Sequence, residues 1–245
     1  MLSRDKSKMI TVSVPYYNTP EYLEMAIEPF LESDFVSEII IHDDCSNQEI
    51  LSTNPKVKVY RNEKNLGAFK NKYLAVSKST NEWVYLLDSD NYICNDTLDV
   101  IKNINYERGI CYLASKINLV DDGLDKSLDG QIKDFNFGLV DVDVCRKYLG
   151  ENKSEFRWFV NLGNFIVNRD DYVNAIESVY NDREYPFFEA DAIAFTYNWL
   201  KAGNKLKSVD GLCYNHRTRP KSYSHAVGNK NWMSIDYHLK KILEL

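Results

Sequence analysis

Four short apolar runs, separated by helix-like segments and turns, constrain this chain more than any other feature. "MITVSVPYY" (9–17), "VSEIIIH" (36–42), "KVKVYR" (56–61) and "EWVYLL" (82–87) are rich in β-branched and aromatic residues and too short for ordinary helices. Between the first two, Thr19-Pro20 opens "PEYLEMAIEPFLES" with proline at the first helical position, and Pro29 is expected to kink or end that helix. "GAFKNKYLAVSKS" (67–79) reads as a second helix. Continuous apolar strands joined by helices require a parallel sheet covered on both faces, so the expected class is α/β with a Rossmann-like, mostly parallel central sheet flanked by helices.

The second half is less regular. "GICYLASKINLV" (109–120) and "LGNFIVNR" (162–169) read as strands, and "DDYVNAIESVYN" as a helix. "EADAIAFTYNWLKAG" (189–203) is a helix closed by Gly203, followed by the strand "KLKSVDGLCYNH". A basic, mobile segment is expected from Arg217 to Lys230, then an amphipathic helix at "WMSIDYHLKKILEL".

At 245 residues and 44% hydrophobic composition, one large domain is the natural reading. A net charge of −6 argues against a general nucleic-acid binder, whose affinity rests on a Lys and Arg excess. The first apolar run holds about six residues before Pro15, too short for a signal peptide, and no run approaches the roughly 20 residues of a membrane span. Peripheral membrane contact stays open. Five scattered cysteines, odd in number and without a Cys-x-x-Cys pair, read as reduced thiols in a cytoplasmic protein.

Three acidic clusters fall at strand ends or a helix start, where open α/β sheets place their ligand crevice: Asp43-Asp44, Asp88-Ser89-Asp90 and Glu189-Ala190-Asp191. If the fourth strand stays extended to Asp90, Asp88 and Asp90 point the same way and Ser89 opposite. Two converging carboxylates repel each other, and Mg²⁺ or Mn²⁺ relieves the conflict while bridging to substrate phosphates. Aspartates at a strand end serve a turn or a helix cap equally well.

Taken together, "ITVSVPYYN", "SEIIIHDDCSN", "RNEKNLGAFKNK", "VYLLDSDN", "NLGNFIVNR" and "FFEADAIAFTYNWLKAG" resemble, in order and over about residues 9–216, the family 2 glycosyltransferases of the GT-A fold. The resemblance implies a single GT-A domain over 1–217, with a nucleotide-sugar half (1–95) and an acceptor half (96–217) carrying a smaller mixed sheet. A basic loop and C-terminal helix (218–245) would follow. It also implies a metal-dependent transfer of a sugar from a nucleotide-diphosphate sugar to a glycan, glycolipid or protein hydroxyl, with inversion.

Residue by residue, the same resemblance puts the nucleotide against Pro15, Tyr17 and Asn18, with Tyr17 packing on the base unless it is a buried strand-end aromatic. Asp44 matches the acceptor for a base N3–H, which favours UDP or dTDP; Asp43 is left to hold the loop. Asn65 and Gly67 match the loop over the nucleoside, and Lys70 or Lys72 would meet base or phosphates unless simply solvated. Asp88, beside Ser89, matches the ribose-side position, and Asp90 the direct ligand of Mn²⁺ or Mg²⁺, with Asp88 and His216 as companions. Arg217, Arg219 and Lys221 suit the diphosphate, since arginine forks match phosphate oxygens. The base of the inverting displacement maps to Asp191, with Glu189 in reserve because this chain reads Glu-Ala-Asp where the family has an adjacent Glu-Asp pair. Helix N-terminal acidity explains either residue without catalysis.

Rival classes lack their marks. A nucleotidyltransferase or dinucleotide oxidoreductase needs a glycine-rich turn after the first strand, where this chain has Pro15-Tyr16-Tyr17-Asn18. The Gln-x-x-Arg-Trp motif of processive synthases is absent from the sequence, which favours single-sugar transfer. A non-catalytic sugar-nucleotide-binding protein on the same fold is the remaining alternative.

Overall fold

The computed structural model describes residues 9–182, 185, 190–220 and 229–245, with the backbone alone at 229. Strand β1 (Ile10–Tyr16) is buried along its whole length because it is flanked on both edges, by β2 (Val36–Asp43) and β4 (Trp83–Leu86), both parallel to it. Strand β3 (Val57–Arg61) extends the parallel set beyond β2. On the other side, β9 (Phe165–Asn168) runs antiparallel between β4 and β6 (Ile110–Asp121). Strand β10 (Lys205–Thr218) lies parallel to β6, and the short β5 (Tyr92–Ile93) pairs antiparallel with β10. Two further short strands, β7 (Ile132–Asp134) and β8 (Leu139–Val140), pair with β6 and β10. The order β3-β2-β1-β4-β9-β6-β10-β5 forms one sheet, so the mixed strands expected on the acceptor side continue the central sheet.

Helix α1 (Pro20–Leu31) starts at Pro20 as expected but passes through Pro29 to Leu31. Pro29 forgoes its i→i−4 bond to the Met25 carbonyl, and the helix stops two residues later at Leu31. Thr19 makes no cap bond; its hydroxyl lies 2.8 Å from that of Ser89. Helix α2 (Ala68–Ser77) packs on β1 and β2, and the short α3 (Thr97–Asn103) packs on β10. Helices α4 (Val142–Gly150) and α5 (Ser154–Phe159) fill the stretch the sequence left irregular. Helix α6 (Arg169–Asn181) is capped by the Asn168 side chain, which accepts from the amides of Asp170 and Asp171.

Helix α7 (Asp191–Lys201) is anchored by aromatic packing. Phe195 stacks on Phe165 of β9 with ring centroids 4.2 Å apart, and Tyr172 of α6 lies 5.3 Å from Phe195. Helix α8 (Asn229–Glu244) then closes over α7. Its buried His238 donates from Nδ1 to the Ser234 carbonyl (2.7 Å) and accepts at Nε2 from the Tyr185 hydroxyl (2.7 Å), while the Ala190 amide donates to Ser234 Oγ (3.3 Å).

Two expectations change. Arg217 and Thr218 belong to β10, paired with Val120 and Asp121, so the basic segment begins as strand. Cys94 and Cys213 form a disulfide with Cα atoms 5.5 Å apart, while Cys45, Cys111 and Cys145 are free. A separation of 119 residues hid this pairing; the β5–β10 register creates it. The inference of a reducing compartment rested on five unpaired thiols and loses that support. No helix among the described residues is long and apolar enough to cross a membrane.

Candidate active site at the sheet edge

The carboxyl ends of β1 and β2 build the first wall. Pro15 and Tyr16 end β1 in the interior, whereas Tyr17 is 48% exposed, which rules out the buried-aromatic reading. Asn18, at φ 50°, ties the turn to the loop after β2: its amide donates to Ser46 Oγ (2.9 Å) and its Oδ1 accepts from the Asn47 amide (2.8 Å). A cleft of about 300 Å³ opens here between Tyr16, Asn18, Pro20, Glu21, Asn47 and Gln48. Asp44 is almost fully buried and accepts from Asn62 Nδ2 (2.9 Å) and the amides of Leu66 (2.8 Å) and Gly67 (2.9 Å). Asp43 accepts from the Ser46 amide and the Arg61 guanidinium. Both aspartates therefore hold loops, and three of the roughly four acceptor positions of Asp44 are taken. Asn65 accepts from the Gly67 amide (3.0 Å), and Gly67 carries the φ of 86° that starts α2. Lys70 lies over the Tyr180 ring of α6, 5.6 Å from its centroid.

The end of β4 differs from the extended expectation. The Asn91 amide donates to the Asp88 carbonyl (3.0 Å), making 88–91 a turn in which the two carboxylates find different partners. Asp88 Oδ1 lies 2.8 Å from Lys72 Nζ, and the same ammonium lies 2.5 Å from Asp191 Oδ2. Asp90 Oδ2 accepts from Arg219 Nε (2.9 Å), and Ser89 turns away to Thr19. Burial, with Asp191 and Asp90 nearby, outweighs Lys72 and pushes the Asp88 carboxyl up to about 6. Burial opposes the charge of Lys72, yet Asp191 and Asp88 together hold its ammonium above the usual lysine range.

Asp191 occupies the first turn of α7 but points its carboxylate at Lys72. The reserve base, Glu189, and Lys221 lie outside the described residues. Gly163 is a site residue that the sequence reading did not single out: a Cβ there would stand 2.8 Å from Asp88 Oδ2 and 3.1 Å from Lys72 Nζ. The next residue, Asn164, accepts from the Asp88 amide at 2.7 Å. Both lie in the "NLGN" run, which marks the segment but not this close approach.

The end of β10 supplies the third wall. Arg217 donates from Nε to the Asp90 carbonyl (3.2 Å) and from its amide to Asn91 Oδ1 (3.0 Å). Its guanidinium lies 4.5 Å from the Tyr22 ring centroid and 5.8 Å from that of Tyr92. Tyr22, Tyr92 and Asn91 escaped the sequence reading because strand pairing across more than 120 residues brings them to Arg217. His216 has a buried Nδ1 without a hydrogen-bond partner. Burial, helped by the Lys72 charge, holds its imidazole pKa below the ordinary value against the pull of Asp90.

A neutral imidazole with an unpartnered nitrogen beside a carboxylate fits a divalent ion. Asp88 is engaged by Lys72 and Asp90 by Arg219, so Asp90 and His216 could hold an ion once Arg219 gives way. Among the described residues no three His, Cys, Asp or Glu side chains group closely enough to hold an ion alone. Such a two-residue set matches ions that take their remaining ligands from substrate phosphates and water.

Comparison with known proteins agrees with this geometry. The model for "Glycosyl transferase family 2" matches residues 11–107. Glycosyltransferase GlyG of Streptococcus pneumoniae is 28% identical over 251 residues, covering 96% of this chain and 80% of that protein. The poly(ribitol-phosphate) beta-N-acetylglucosaminyltransferase TarS of Staphylococcus aureus is 32% identical over 101 residues, 36% of this chain and 17% of TarS. The structure of TarS 1–349 with UDP-GlcNAc superposes with a TM-score of 0.62 at 19% identity, covering 96% of this chain and 66% of that one. GalNAc-T7 with UDP, GalNAc and Mn²⁺ gives 0.58 at 17% identity over 87% of this chain and 44% of that chain. The matches thus span less than half of GalNAc-T7 (44%) and 17% of the full length of TarS. Ordered motifs, sheet topology and relatives converge: residues 11–107 match the glycosyl transferase family 2 model, and the chain as a whole shares the fold of the GT-A glycosyltransferase structures on which it superposes.

Proposed function

We propose that the chain transfers a single hexosyl-type sugar from a UDP-sugar to a hydroxyl of a glycan, glycolipid or protein, with inversion at the anomeric carbon, in glycan or polysaccharide assembly. The observation that carries this reading is the unpartnered, buried Nδ1 of neutral His216 beside Asp90, at the same sheet edge as Asp191. TarS bound to UDP-GlcNAc and GalNAc-T7 bound to UDP and Mn²⁺ support a UDP-linked donor and a divalent ion.

In this reading Tyr17 packs on the base, while Asp44 and the loop it holds cover the nucleoside. Asp90 and His216 would hold Mn²⁺ or Mg²⁺, and such an ion would supply charge neutralisation for the diphosphate. Arg217 and Arg219 stand beside that position and orient the phosphates. The acceptor oxygen attacks the anomeric carbon opposite the diphosphate, the bond to the diphosphate oxygen breaks with its electron pair, and the acceptor proton passes to Asp191.

The test is UDP release from a panel of UDP-sugars, with and without hydroxyl acceptors, and the anomeric configuration of the product by NMR. Release stimulated by an acceptor, an inverted product and a loss of roughly 10²–10⁴ in turnover for Asp191→Asn are expected. Retained configuration contradicts the mechanism. UDP binding without release from any donor favours the non-catalytic alternative.

A further inference from the structure

Lys72 is 8% exposed, and three oxygens surround its ammonium: Asp191 Oδ2 at 2.5 Å, Asp88 Oδ1 at 2.8 Å and the Gly163 carbonyl at 3.5 Å. Two carboxylates at ion-pair distance and a carbonyl at 3.5 Å balance the ammonium within the protein, with no phosphate or base required. The lysine also joins segments that sequence keeps apart: α2, the turn after β4, the loop before β9, and the start of α7. Gly163 keeps the space open, because any side chain there would press on both Lys72 and Asp88.

On the reading of Asp191 as the base, we infer that Lys72 is its positioning residue: it clamps Oδ2 in the interior and leaves Oδ1 to receive the acceptor proton. Asp191 Oδ2 is buried while the side chain as a whole is 18% exposed, so the reachable part lies away from the clamp. The lysine stays protonated throughout, since the single proton that moves goes from acceptor oxygen to Asp191 and the ammonium only fixes the carboxylate's direction. Asp88 completes the arrangement by holding the lysine from its other side. Without the clamp, an aspartate on the first turn of a helix is free to rotate toward backbone amides or solvent.

The test compares Lys72→Met, Lys72→Arg and Gly163→Ala for kcat, donor KM and UDP affinity by titration. Misdirecting a reactive group by about 1 Å costs roughly 10²-fold. Lys72→Met is expected to lower kcat by about that factor with UDP affinity unchanged, and Lys72→Arg to recover part of it. The double variant Lys72→Met/Asp191→Asn should be no slower than Asp191→Asn alone, as residues acting as one unit are non-additive. Wild-type kcat with weakened UDP binding in Lys72→Met would make the lysine a phosphate ligand and overturn the inference, as would multiplicative losses in the double variant. Should Lys72→Met fail to fold, Lys72→Arg and Gly163→Ala decide: lowered kcat at unchanged UDP affinity supports positioning, and wild-type kcat in both overturns it. Asp191→Asn alone separates the two levels, since undiminished turnover there removes the base assignment itself.

Discussion

Two pairs of aspartates end neighbouring parts of one sheet, and the chain treats them in opposite ways. After β2, Asp43 and Asp44 are 1% and 2% exposed and accept from backbone amides, an asparagine and a guanidinium that together fix two loops. After β4, Asp88 and Asp90 are more open and are held by the long side chains of Lys72 and Arg219. A carboxylate bonded to backbone amides cannot change partner without moving the chain. One held by a flexible cation can exchange that cation for a ligand while the fold stays intact. The first pair is therefore scaffold for the nucleoside wall; of the second, Asp88 anchors the buried Lys72 and Asp90, paired to Arg219, is the one poised for exchange.

The largest expected effect breaks the scaffold. Asp44→Ala strands three donors, Asn62 Nδ2 and the amides of Leu66 and Gly67, and should cost about 4 kcal/mol of stability in urea unfolding. Asp90→Ala removes one charge-assisted bond, from Arg219 Nε, and should cost about 2 kcal/mol, roughly half as much. Equal losses from the two would erase the distinction.

A second effect reaches the exchangeable set from a distance. His238 secures α8 against the residue before Asp191, and burial lowers its pKa to about 4. Its folded pKa is below the unfolded value of about 6.5, so its contribution is complete above pH 6.5 and is lost as pH falls toward 4. The loss should reach about 3 kcal/mol at the bottom of that window, and His238→Gln should flatten that part of the pH–stability curve. An unchanged slope in the variant would exclude His238 as its source.

Nucleotide choice gives the smaller contrast. Asp44 has one acceptor position left after its loop bonds, and a single hydrogen bond to a base N3–H predicts a preference of roughly tenfold for UDP or dTDP over CDP and ADP. CDP binding as tightly as UDP would leave Asp44 as a loop anchor only.

The parallel half of the sheet was legible because β1, β2 and β4 are short, largely apolar, β-branched runs buried on both faces, and α7 because Gly203, at φ 84°, stops it where the sequence places it. The short β5, β7 and β8 have two or three residues each and exist only through pairing with longer strands, which no local pattern encodes. At the site, Asp88, Asp90, Asp191 and His216 were visible as residues, but their partners were not. The turn at 88–91 undoes strand alternation, so the shared direction expected of the two aspartates from their spacing gives way to separate partners. Lys72 looked like an ordinary helix-surface lysine because its partners lie 16 and 119 positions away. The disulfide and the packing of Arg217 on Tyr22 and Tyr92 were hidden for the same reason: tertiary pairing makes them.

The difference between fixed and exchangeable aspartates is tested most directly by the stabilisation that UDP gives in Mn²⁺ and in EDTA, for the unmodified chain and for Asp90→Ala. Ligand at about 100 times its Kd should stabilise the folded state by about 2.7 kcal/mol. The account predicts that this stabilisation appears in Mn²⁺, falls sharply in EDTA, and loses its metal-dependent part in Asp90→Ala without loss of the fold. Equal stabilisation by UDP in Mn²⁺ and EDTA, or a metal-dependent increment that survives Asp90→Ala, would contradict it.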